Sequence, residues 1–369
     1  MKKASLYYPE LDSLRFFAFL LVLVHHAPYA ESVGFWSTLS KYGWMGVDLF
    51  LCLSAFLFAR LLYVENQEKG GINVGYFYLR RALRIWPLYF LFLGAMLIIT
   101  VRENGWNMVI MQRFIGMLTF TDNLASAIMG YNTAILYSAH IWTISYEEQF
   151  YLIIPWVLRK FYQLKSSATS VILVSAMLIG MLIRALYIYN QIGHPDIWVL
   201  PVTHFESVFG GLMVGLGLFD RYLKKIPEWI LLLTGVFALF IVTWLPNVNK
   251  IQWKLMLTYP LIGIGTSLIL FAVMRGNLGP FSYLFKNKIL GYLCKISYGL
   301  YVFHLLGLEF SYKITDTFIS QERLLVYPAT ALLLGLIITV TISMASYQFL
   351  ERPFLRLKER FTFIKSRPI

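Results

Sequence analysis

The sequence predicts an all-α integral membrane protein that crosses the bilayer about ten times and keeps both termini in the cytoplasm. Of its 369 residues, 58% are hydrophobic and only 14% are charged, and the mean hydropathy is +0.64. A soluble domain could not bury so much apolar surface inside one core. In addition, the apolar residues fall into stretches of about 20, the length that crosses the hydrocarbon core of a bilayer.

The apolar stretches number ten, and an even number places both termini on one side of the membrane. They lie near residues 13–30, 45–64, 85–101, 136–158, 169–188, 200–219, 226–244, 255–274, 290–312 and 325–349. The longest connection is 102–135, in which the apolar piece 111–117 is predicted to be re-entrant or interfacial. The chain is therefore divided into a membrane unit, 8–354, and a basic cytoplasmic tail, 355–369.

The basic residues support this topology independently. With the N-terminus inside, 24 of the 32 Lys and Arg residues fall near the cytoplasm and 8 outside, which is the asymmetry of the positive-inside rule. The net charge of +13 does not indicate a nucleic-acid partner, because its residues punctuate apolar stretches instead of covering one soluble face. Cys52 and Cys294 both lie in apolar runs, so neither a disulfide nor a metal site is predicted.

Ionisable side chains inside predicted spans are candidates for function, because they are costly in lipid and face the bundle interior. In span 1, Arg15 and His26 are eleven residues apart, so they share one helix face and lie ~16 Å apart along the axis. His25 points about 100° away from His26. The alternative is an arginine that extends to the headgroups and a histidine satisfied by a neighbouring helix.

Asp48 near the start of span 2 is predicted to lie at a depth comparable to that of His26. Its carboxylate could orient the imidazole and stabilise the protonated form. It could equally complement the positive N-terminal end of its own helix. Both interpretations stay open on the sequence alone.

Three arginines, Arg80, Arg81 and Arg84, precede span 3. Arg81 and Arg84 share a helix face, and guanidinium groups at a membrane-facing helix start can bind phosphate groups in bidentate fashion. The alternative is ordinary positive-inside anchoring. Pro87 fits either a first-turn proline or a kink that opens a cavity.

Span 4 carries the densest polar signal, residues 140–151, in the middle of a predicted membrane crossing. Glu147 and Tyr151 are four apart and share a face, whereas Glu148 and Gln149 point elsewhere. No structural requirement explains two carboxylates and an amide at this depth. Later spans add weaker candidates, His204, Glu206 and His304.

Six motifs in register resemble acyltransferase family 3, and the resemblance covers residues 8 to 354. That family comprises ten-span membrane acyltransferases that modify glycans, lipids and antibiotics. The motifs are Leu-Asp-Ser-Leu-Arg at 11–15 with His26, Gly-Val-Asp-Leu-Phe at 46–50 with Leu53-Ser54, residues 78–87, residues 142–151, Ile-Ser-Tyr at 296–298 with His304, and residues 347–353.

The resemblance implies roles at matching positions. It implies that His26 is the catalytic residue of an arginine-to-histidine motif that begins at Arg15, and that Arg81 and Arg84 bind the phosphates of coenzyme A. It also matches Glu147 to the family's glutamate.

Two positions depart from the family pattern. An arginine and an aspartate in span 6 are replaced by His204 and Glu206, and a second histidine, His25, stands beside His26. The first departure bears on acceptor recognition, and the second leaves open which imidazole acts.

The expected activity is transfer of an acyl group, acetyl above all, from acyl-CoA to a hydroxyl of a cell-surface carbohydrate or glycolipid, without a metal. His26 would act as general base, oriented by Asp48 or Glu147, and a covalent acyl-histidine is the variant mechanism. Residues expected to line the substrate cavity are Trp142, Gln149, Tyr151, Glu206 and His304. The expected location is a bacterial inner membrane, with lipids as neighbours.

The rival interpretation is a transporter or flippase for a glycan or lipid intermediate, since buried ionisable residues and many helices also suit transport. The cytoplasmic arginines aligned with an intramembrane histidine favour acyl transfer, because transport alone does not require them. A glycan polymerase or ligase would be expected to have a large external loop. The sequence leaves the acyl group, the acceptor, the side of transfer and the oligomeric state open.

Overall fold

The fold is described from a computed structural model that covers residues 7–27, 34–130, 134–285, 288–321, 323 and 326–364. Within these ranges the regular structure is entirely helical. The all-α prediction is therefore confirmed.

Eighteen α-helices are present in the described ranges. In chain order they are α1 (Pro9–His25), α2 (Gly34–Tyr42), α3 (Met45–Lys69), α4 (Val74–Asn104), α5 (Met108–Leu118), α6 (Asp122–Met129), α7 (Trp142–Phe161), α8 (Ser166–Tyr189), α9 (Asp196–Val199), α10 (Glu206–Gly215), α11 (Asp220–Leu223), α12 (Glu228–Val242), α13 (Leu255–Arg275), α14 (Ser282–Phe285), α15 (Lys288–Lys295), α16 (Ser297–Phe318), α17 (Val326–Ser346) and α18 (Arg352–Glu359). Short 3-10 turns occupy Pro201–Thr203 and Gly279–Phe281, and a π-helical turn, Tyr347–Glu351, joins α17 to α18.

Five helices in the part of the chain that the structure describes are long and apolar enough to cross a membrane, so the chain is a multi-pass membrane protein. They are α3, α4, α8, α13 and the continuous segment Val326–Glu359. A sixth crossing results if α15 and α16 are counted together. These two helices meet at a bend of 80°, so the predicted span 290–312 is broken rather than straight.

The remaining predicted spans correspond to shorter or more polar helices. Helices α1, α12 and α10 have 17, 15 and 10 residues, and α7 begins at Trp142, later than the predicted 136. The ten-span count and the cytoplasmic termini therefore stay predictions.

Two local expectations can be compared directly with the helices. Helix α4 begins at Val74, so Pro87 lies inside it and is not a first-turn proline. The connection 102–135 contains two short helices, α5 and α6, and α5 includes the predicted piece 111–117.

Close helix contacts organise the centre of the bundle. Helix α3 packs against α1 on one side and against α10 and α13 on another. Gly46 of α3 faces the carbonyl oxygen of Ala18, and Gly211 of α10 faces that of Cys52, so a Cβ at either glycine would overlap the neighbouring backbone. Small residues permit this approach, as is common between membrane helices, and it brings α1, α3 and α10 together.

The predicted cytoplasmic tail packs against the helices in its described part. The backbone oxygen of Phe361 accepts a hydrogen bond from Arg80 at 3.0 Å, and the ring of Phe361 contacts Tyr76. Ile364 is buried. Residues 365–369 of the predicted tail, and the last three residues of predicted span 1, lie outside the described ranges.

Candidate active site

One cavity, of about 150 Å³, collects side chains from α1, α3, α4, α7 and α16. We call it the arginine cavity, because Arg15, Arg81 and Arg84 line it together with Glu147. Apolar and aromatic residues form the rest of its wall. Three guanidinium groups thus meet in one cavity, although Arg15 of α1 is far in the sequence from Arg81 and Arg84 of α4.

A second, much smaller cavity of about 20 Å³ lies at the C-terminal end of α1. We call it the histidine cavity. Its walls include His26, which directly follows α1, and His25, His140, Trp44 and Trp142. A space of this size holds one water molecule or one hydroxyl group.

The two cavities have three wall residues in common, Val47, Thr143 and Tyr301. The hydroxyls of Thr143 and Tyr301 are hydrogen-bonded to each other, and both contact the backbone oxygen of His140, at 2.9 and 3.2 Å. A hydrogen-bonded partition therefore stands between the arginine cavity and the histidine cavity.

Backbone contacts assign the tautomer of His26. Its Nδ1 lies 2.9 Å from the carbonyl oxygen of Val22, which can only accept, so Nδ1 carries a proton and, in the neutral imidazole, Nε2 carries the lone pair. No described residue forms a hydrogen bond to Nε2. His26 thus has the protonation pattern of a general base at Nε2.

His304 is the side chain that contacts the His26 ring by hydrogen bond. Its Nδ1 lies 2.6 Å from the carbonyl oxygen of Tyr301 and must carry the proton. Its Nε2 therefore has a lone pair, and it lies 3.2 Å from Nδ1 of His26. The Nδ1 proton of His26 is shared between Val22 and His304, and the second imidazole fixes the ring.

His140 extends this cluster. Its ring centre lies 4.6 Å from that of His304, and its Nε2 donates to the carbonyl oxygen of Val302 at 3.1 Å. Nδ1 of His140 is buried without a partner. Among the described residues, no group of three or more His, Cys, Asp or Glu side chains is arranged to hold a metal ion.

The three predicted phosphate-binding arginines separate into two sets. Arg81 and Arg84 line the arginine cavity. The Arg81 guanidinium carbon lies 4.9 Å from the centre of the Phe58 ring, and its Nε has no partner. Arg80 does not line this cavity and forms an ion pair with buried Glu65 at 2.8 Å.

The structure places Glu147 and Tyr151 in the arginine cavity rather than beside His26. The Tyr151 hydroxyl donates to the Glu147 carboxylate at 2.7 Å. The contact agrees with the prediction that Glu147 and Tyr151 share one face of the helix. Neither side chain forms a hydrogen bond with His26 in the described chain.

Asp48 and Glu206 belong to a buried polar cluster on the other side of α3. Asp48 accepts a hydrogen bond of 2.8 Å from Ser207 and forms none with His26 among the described residues. Glu206 forms an ion pair of 2.6 Å with Arg184 of α8, and both are almost inaccessible to solvent. Neither Asp48 nor Glu206 lines either cavity.

Gln149 lies away from both cavities. Its amide exchanges two hydrogen bonds with the amide of Asn123, at 3.1 and 2.8 Å, and donates to the backbone of Phe120 at 2.9 Å. These bonds join α7 to the segment around α6. Gln149 was predicted to line the substrate cavity, whereas in the structure its amide forms packing contacts between helices.

Sequence reasoning did not identify several site residues. Trp44 and Trp198 enclose the histidine cavity with Trp142, but tryptophans are common at membrane interfaces, so nothing in the sequence singles these two out. The contact between Tyr301 and Thr143 joins α16 to α7 and has no sequence signature.

The described chain thus combines an all-helical membrane fold with a cavity lined by three arginines and an adjoining cavity lined by His26. Residues 8–348 match the model of acyltransferase family 3, described as an acyltransferase domain. The chain belongs to this family.

Several curated proteins are similar to the chain. O-acetyltransferase OatA of Staphylococcus aureus strain NCTC 8325 is 24% identical over 361 residues, which cover 94% of this chain and 57% of OatA. A provisionally named O-acetyltransferase of S. aureus strain COL is 23% identical over 371 residues, 95% of this chain and 58% of the relative. A provisionally named acetyltransferase of Acidianus two-tailed virus is 26% identical over 306 residues, 81% of this chain and 83% of the relative.

The chain thus spans little more than half the length of the staphylococcal relatives. No solved structure matches it.

Proposed function

We propose that this chain is a membrane O-acyltransferase that moves an acyl group, acetyl above all, from acyl-CoA to a hydroxyl of a cell-surface carbohydrate or glycolipid. One observation carries the proposal. A cavity lined by three arginines and a cavity lined by His26 share the wall of Val47, Thr143 and Tyr301. This arrangement suits a polyanionic donor whose reactive end must reach a base.

Arg81 and Arg84 bind the donor phosphates in this proposal, and Arg15 adds a third positive charge to the same cavity. Guanidinium groups pair with phosphate oxygens through two parallel hydrogen bonds. Arg81 has a buried Nε without a partner, so a donor group is available for an anion. Glu147, held by Tyr151, keeps one negative charge among the arginines and limits their mutual repulsion.

His26 takes the proton of the acceptor hydroxyl at Nε2. The hydroxyl oxygen forms a bond to the thioester carbon, the carbon–sulfur bond breaks, and the proton passes from His26 to the departing thiolate. His304 accepts the Nδ1 proton of His26 as a hydrogen bond at 3.2 Å, and this contact strengthens when the ring becomes a cation. Acyl-histidine formation at Nε2 is the covalent variant of the same geometry.

The topology of the proposal has ten spans with both termini in the cytoplasm, in a bacterial inner membrane. Helix α1 then runs from the cytoplasmic face, so Arg15 and the arginine cavity face the cytoplasm and His26 lies ~16 Å deeper. The donor approaches from the side where acyl-CoA is made, and the acceptor approaches His26 from the opposite side.

The test compares cells that express the wild type, His26→Ala or His25→Ala at equal membrane levels. After labelling with [14C]acetate, base-labile acetyl esters in the envelope fraction are measured, and acetyl-CoA binding to the purified proteins is measured in parallel. We expect His26→Ala to abolish ester formation and to leave acetyl-CoA affinity unchanged. His25→Ala is the matched control, because Nδ1 of His25 contacts the backbone of Ser40 at 2.6 Å.

Other results would redirect the assignment. Loss of transfer in His25→Ala with full transfer in His26→Ala would make His25 the base. A wild type that binds no acetyl-CoA and forms no ester would contradict acyl transfer and favour transport of a glycan or lipid intermediate.

A further inference from the structure

The histidine cavity has a polar composition that the base alone does not explain. Trp44 lines it and is only 3% exposed. The Trp44 Nε1 is buried and has no hydrogen-bond partner. A buried N–H group without a partner is costly and therefore uncommon, so this indole indicates a missing acceptor atom.

The walls around Trp44 are rigid and aromatic. Its ring centre lies 4.7 Å from that of Trp198, and Trp198 lies 5.5 Å from Trp142. The three indoles are almost completely buried, and all three line the cavity. A space of about 20 Å³ inside such walls accommodates one oxygen atom with its proton rather than a sugar ring.

The polar atoms of the wall residues match the hydrogen-bonding capacity of one hydroxyl group. Trp44 supplies a donor at Nε1, His26 supplies a lone pair at Nε2, and His140 has a further unpartnered nitrogen at Nδ1. A hydroxyl donates one hydrogen bond and accepts up to two. It can therefore accept from Trp44, donate to His26, and keep one lone pair for attack.

We propose that the histidine cavity is the subsite for the acceptor hydroxyl, and that the Trp44 indole N–H holds the hydroxyl oxygen while His26 removes its proton. The inference rests on the proposed acyl transfer and names the group that positions the nucleophile. It assigns acceptor binding to the three tryptophans and not to Glu147, Tyr151 or Gln149. The donor phosphates and the acceptor hydroxyl then occupy different cavities, separated by the Thr143–Tyr301 hydrogen bond.

Two substitutions test the subsite in different ways. Trp44→Phe keeps an aromatic ring and removes the N–H, and the loss of one hydrogen bond predicts a fall in acetyl-ester formation of roughly tenfold. Val22→Ile adds a methyl group to a buried residue that lines the histidine cavity but not the arginine cavity. This substitution leaves the backbone contact of Val22 to His26 in place. The added methyl group should exclude the acceptor hydroxyl and lower acetyl-ester formation by a similar factor.

The measurements are [14C]acetyl ester in the envelope fraction and acetyl-CoA affinity of the purified full chain. Acetyl-CoA affinity should stay within about twofold of wild type in both variants, a change of under 0.5 kcal/mol. Trp229→Phe is the matched control, since Trp229 of α12 is 48% exposed; it should transfer like wild type. If Trp44→Phe does not fold, as judged by lost acetyl-CoA binding, Val22→Ile decides.

Wild-type ester formation by either folded variant would overturn the subsite. Ester formation by the wild type with no effect of these variants would contradict this inference alone. No ester formation by the wild type would contradict the proposed function and the subsite together.

Discussion

Nδ1 of His26 lies 3.2 Å from Nε2 of His304. The two residues are 278 positions apart in the chain, and the packing of α1 against α16 brings them together. Both tautomers follow from carbonyl oxygens, of Val22 for His26 and of Tyr301 for His304. The arrangement resembles the logic of a catalytic dyad, in which the second group orients the base and stabilises its cation. Here the second group is an imidazole and not a carboxylate.

We expect His304→Ala to lower the rate of acyl transfer at saturating substrate by about 10- to 100-fold, the value of one charge-assisted hydrogen bond of ~1.5–3 kcal/mol. The KM for acetyl-CoA should not change, because His304 does not line the arginine cavity. His304→Gln should recover part of the rate, since its amide oxygen can accept from Nδ1 of His26. The measurement is steady-state release of coenzyme A coupled to ester formation.

Equal losses in His304→Ala and His304→Gln, together with a lowered melting temperature in both, would contradict the positioning role and leave His304 as a packing residue. A change in KM without a change in rate would contradict it as well.

Tyr301 and Thr143 form the second functional contact. If their hydrogen bond separates the two cavities, then its removal should admit water to the thioester. We expect Tyr301→Phe and Thr143→Val each to raise acceptor-independent hydrolysis of acetyl-CoA by up to ~10-fold, the value of one neutral hydrogen bond. The double variant should match the single variants, because both substitutions remove the same bond.

Thr143→Ser keeps the hydroxyl and is the control for that experiment, with hydrolysis expected at the wild-type level. Free coenzyme A released in the absence of any acceptor is the measurement. Additive effects of Tyr301→Phe and Thr143→Val, or hydrolysis unchanged in both, would show that the contact does not seal the cavities.

Much of the helical fold could be predicted, because long apolar stretches are specified locally. Helices α3, α8 and α13 lie close to predicted spans. The 80° break between α15 and α16 was not predicted, because Lys295 and Ser297 at the break stand in a stretch that is otherwise apolar and long enough for one span. The same limit applies to α10, a 10-residue helix within an apolar stretch twice as long.

The sequence identified several residues of the candidate site, but it did not predict which side chains contact each other. Arg81 and Arg84 were singled out as phosphate-binding cations at a helix start, and Glu147 as an ionisable group that is costly in lipid. All three line one cavity. The expected orientation of His26 by Asp48 was argued from depth alone. Depth does not fix rotation about the helix axis, and Asp48 faces Ser207 of α10 instead.

Glu206 illustrates how burial alone can mislead. It was expected in the substrate cavity, whereas in the structure it pairs with Arg184 at 2.6 Å in a solvent-free position. Breaking a buried ion pair leaves one uncompensated charge, which costs ~3–5 kcal/mol. We therefore expect Glu206→Ala to lower the melting temperature of the purified protein strongly, whereas Arg184→Met with Glu206→Leu recovers part of the loss.

Thermal unfolding in detergent, followed by circular dichroism, measures this effect. Asp220→Asn at the exposed start of α11 is the charge-matched control, because the side chain of Glu228 is only 12% exposed and already pairs with Arg275. A stable Glu206→Ala protein with a raised KM for the acceptor would contradict the structural role and return Glu206 to the substrate site.

The arginine cavity makes the sharpest prediction about the donor. If Arg81 and Arg84 bind phosphate groups, then Arg81→Ala with Arg84→Ala should weaken acetyl-CoA binding by ~100-fold or more, from two or more charge-assisted hydrogen bonds of ~1.5–3 kcal/mol each. Arg159→Ala, which removes an exposed cation at the end of α7, is the control for net charge and should bind normally.

Acetyl-3′-dephospho-coenzyme A separates phosphate binding from a general effect of charge. When an arginine contacts the 3′-phosphate, its substitution should weaken binding of acetyl-CoA more than binding of the dephospho analogue, and the two losses should be non-additive. Isothermal titration with both ligands gives the complete cycle for each single variant. If the affinity loss from each arginine substitution adds to the loss from removing the 3′-phosphate, the arginines contact the pyrophosphate instead. If neither substitution weakens binding of either ligand, the arginines do not bind the donor, because a guanidinium that contacted a phosphate could not be removed without loss of affinity.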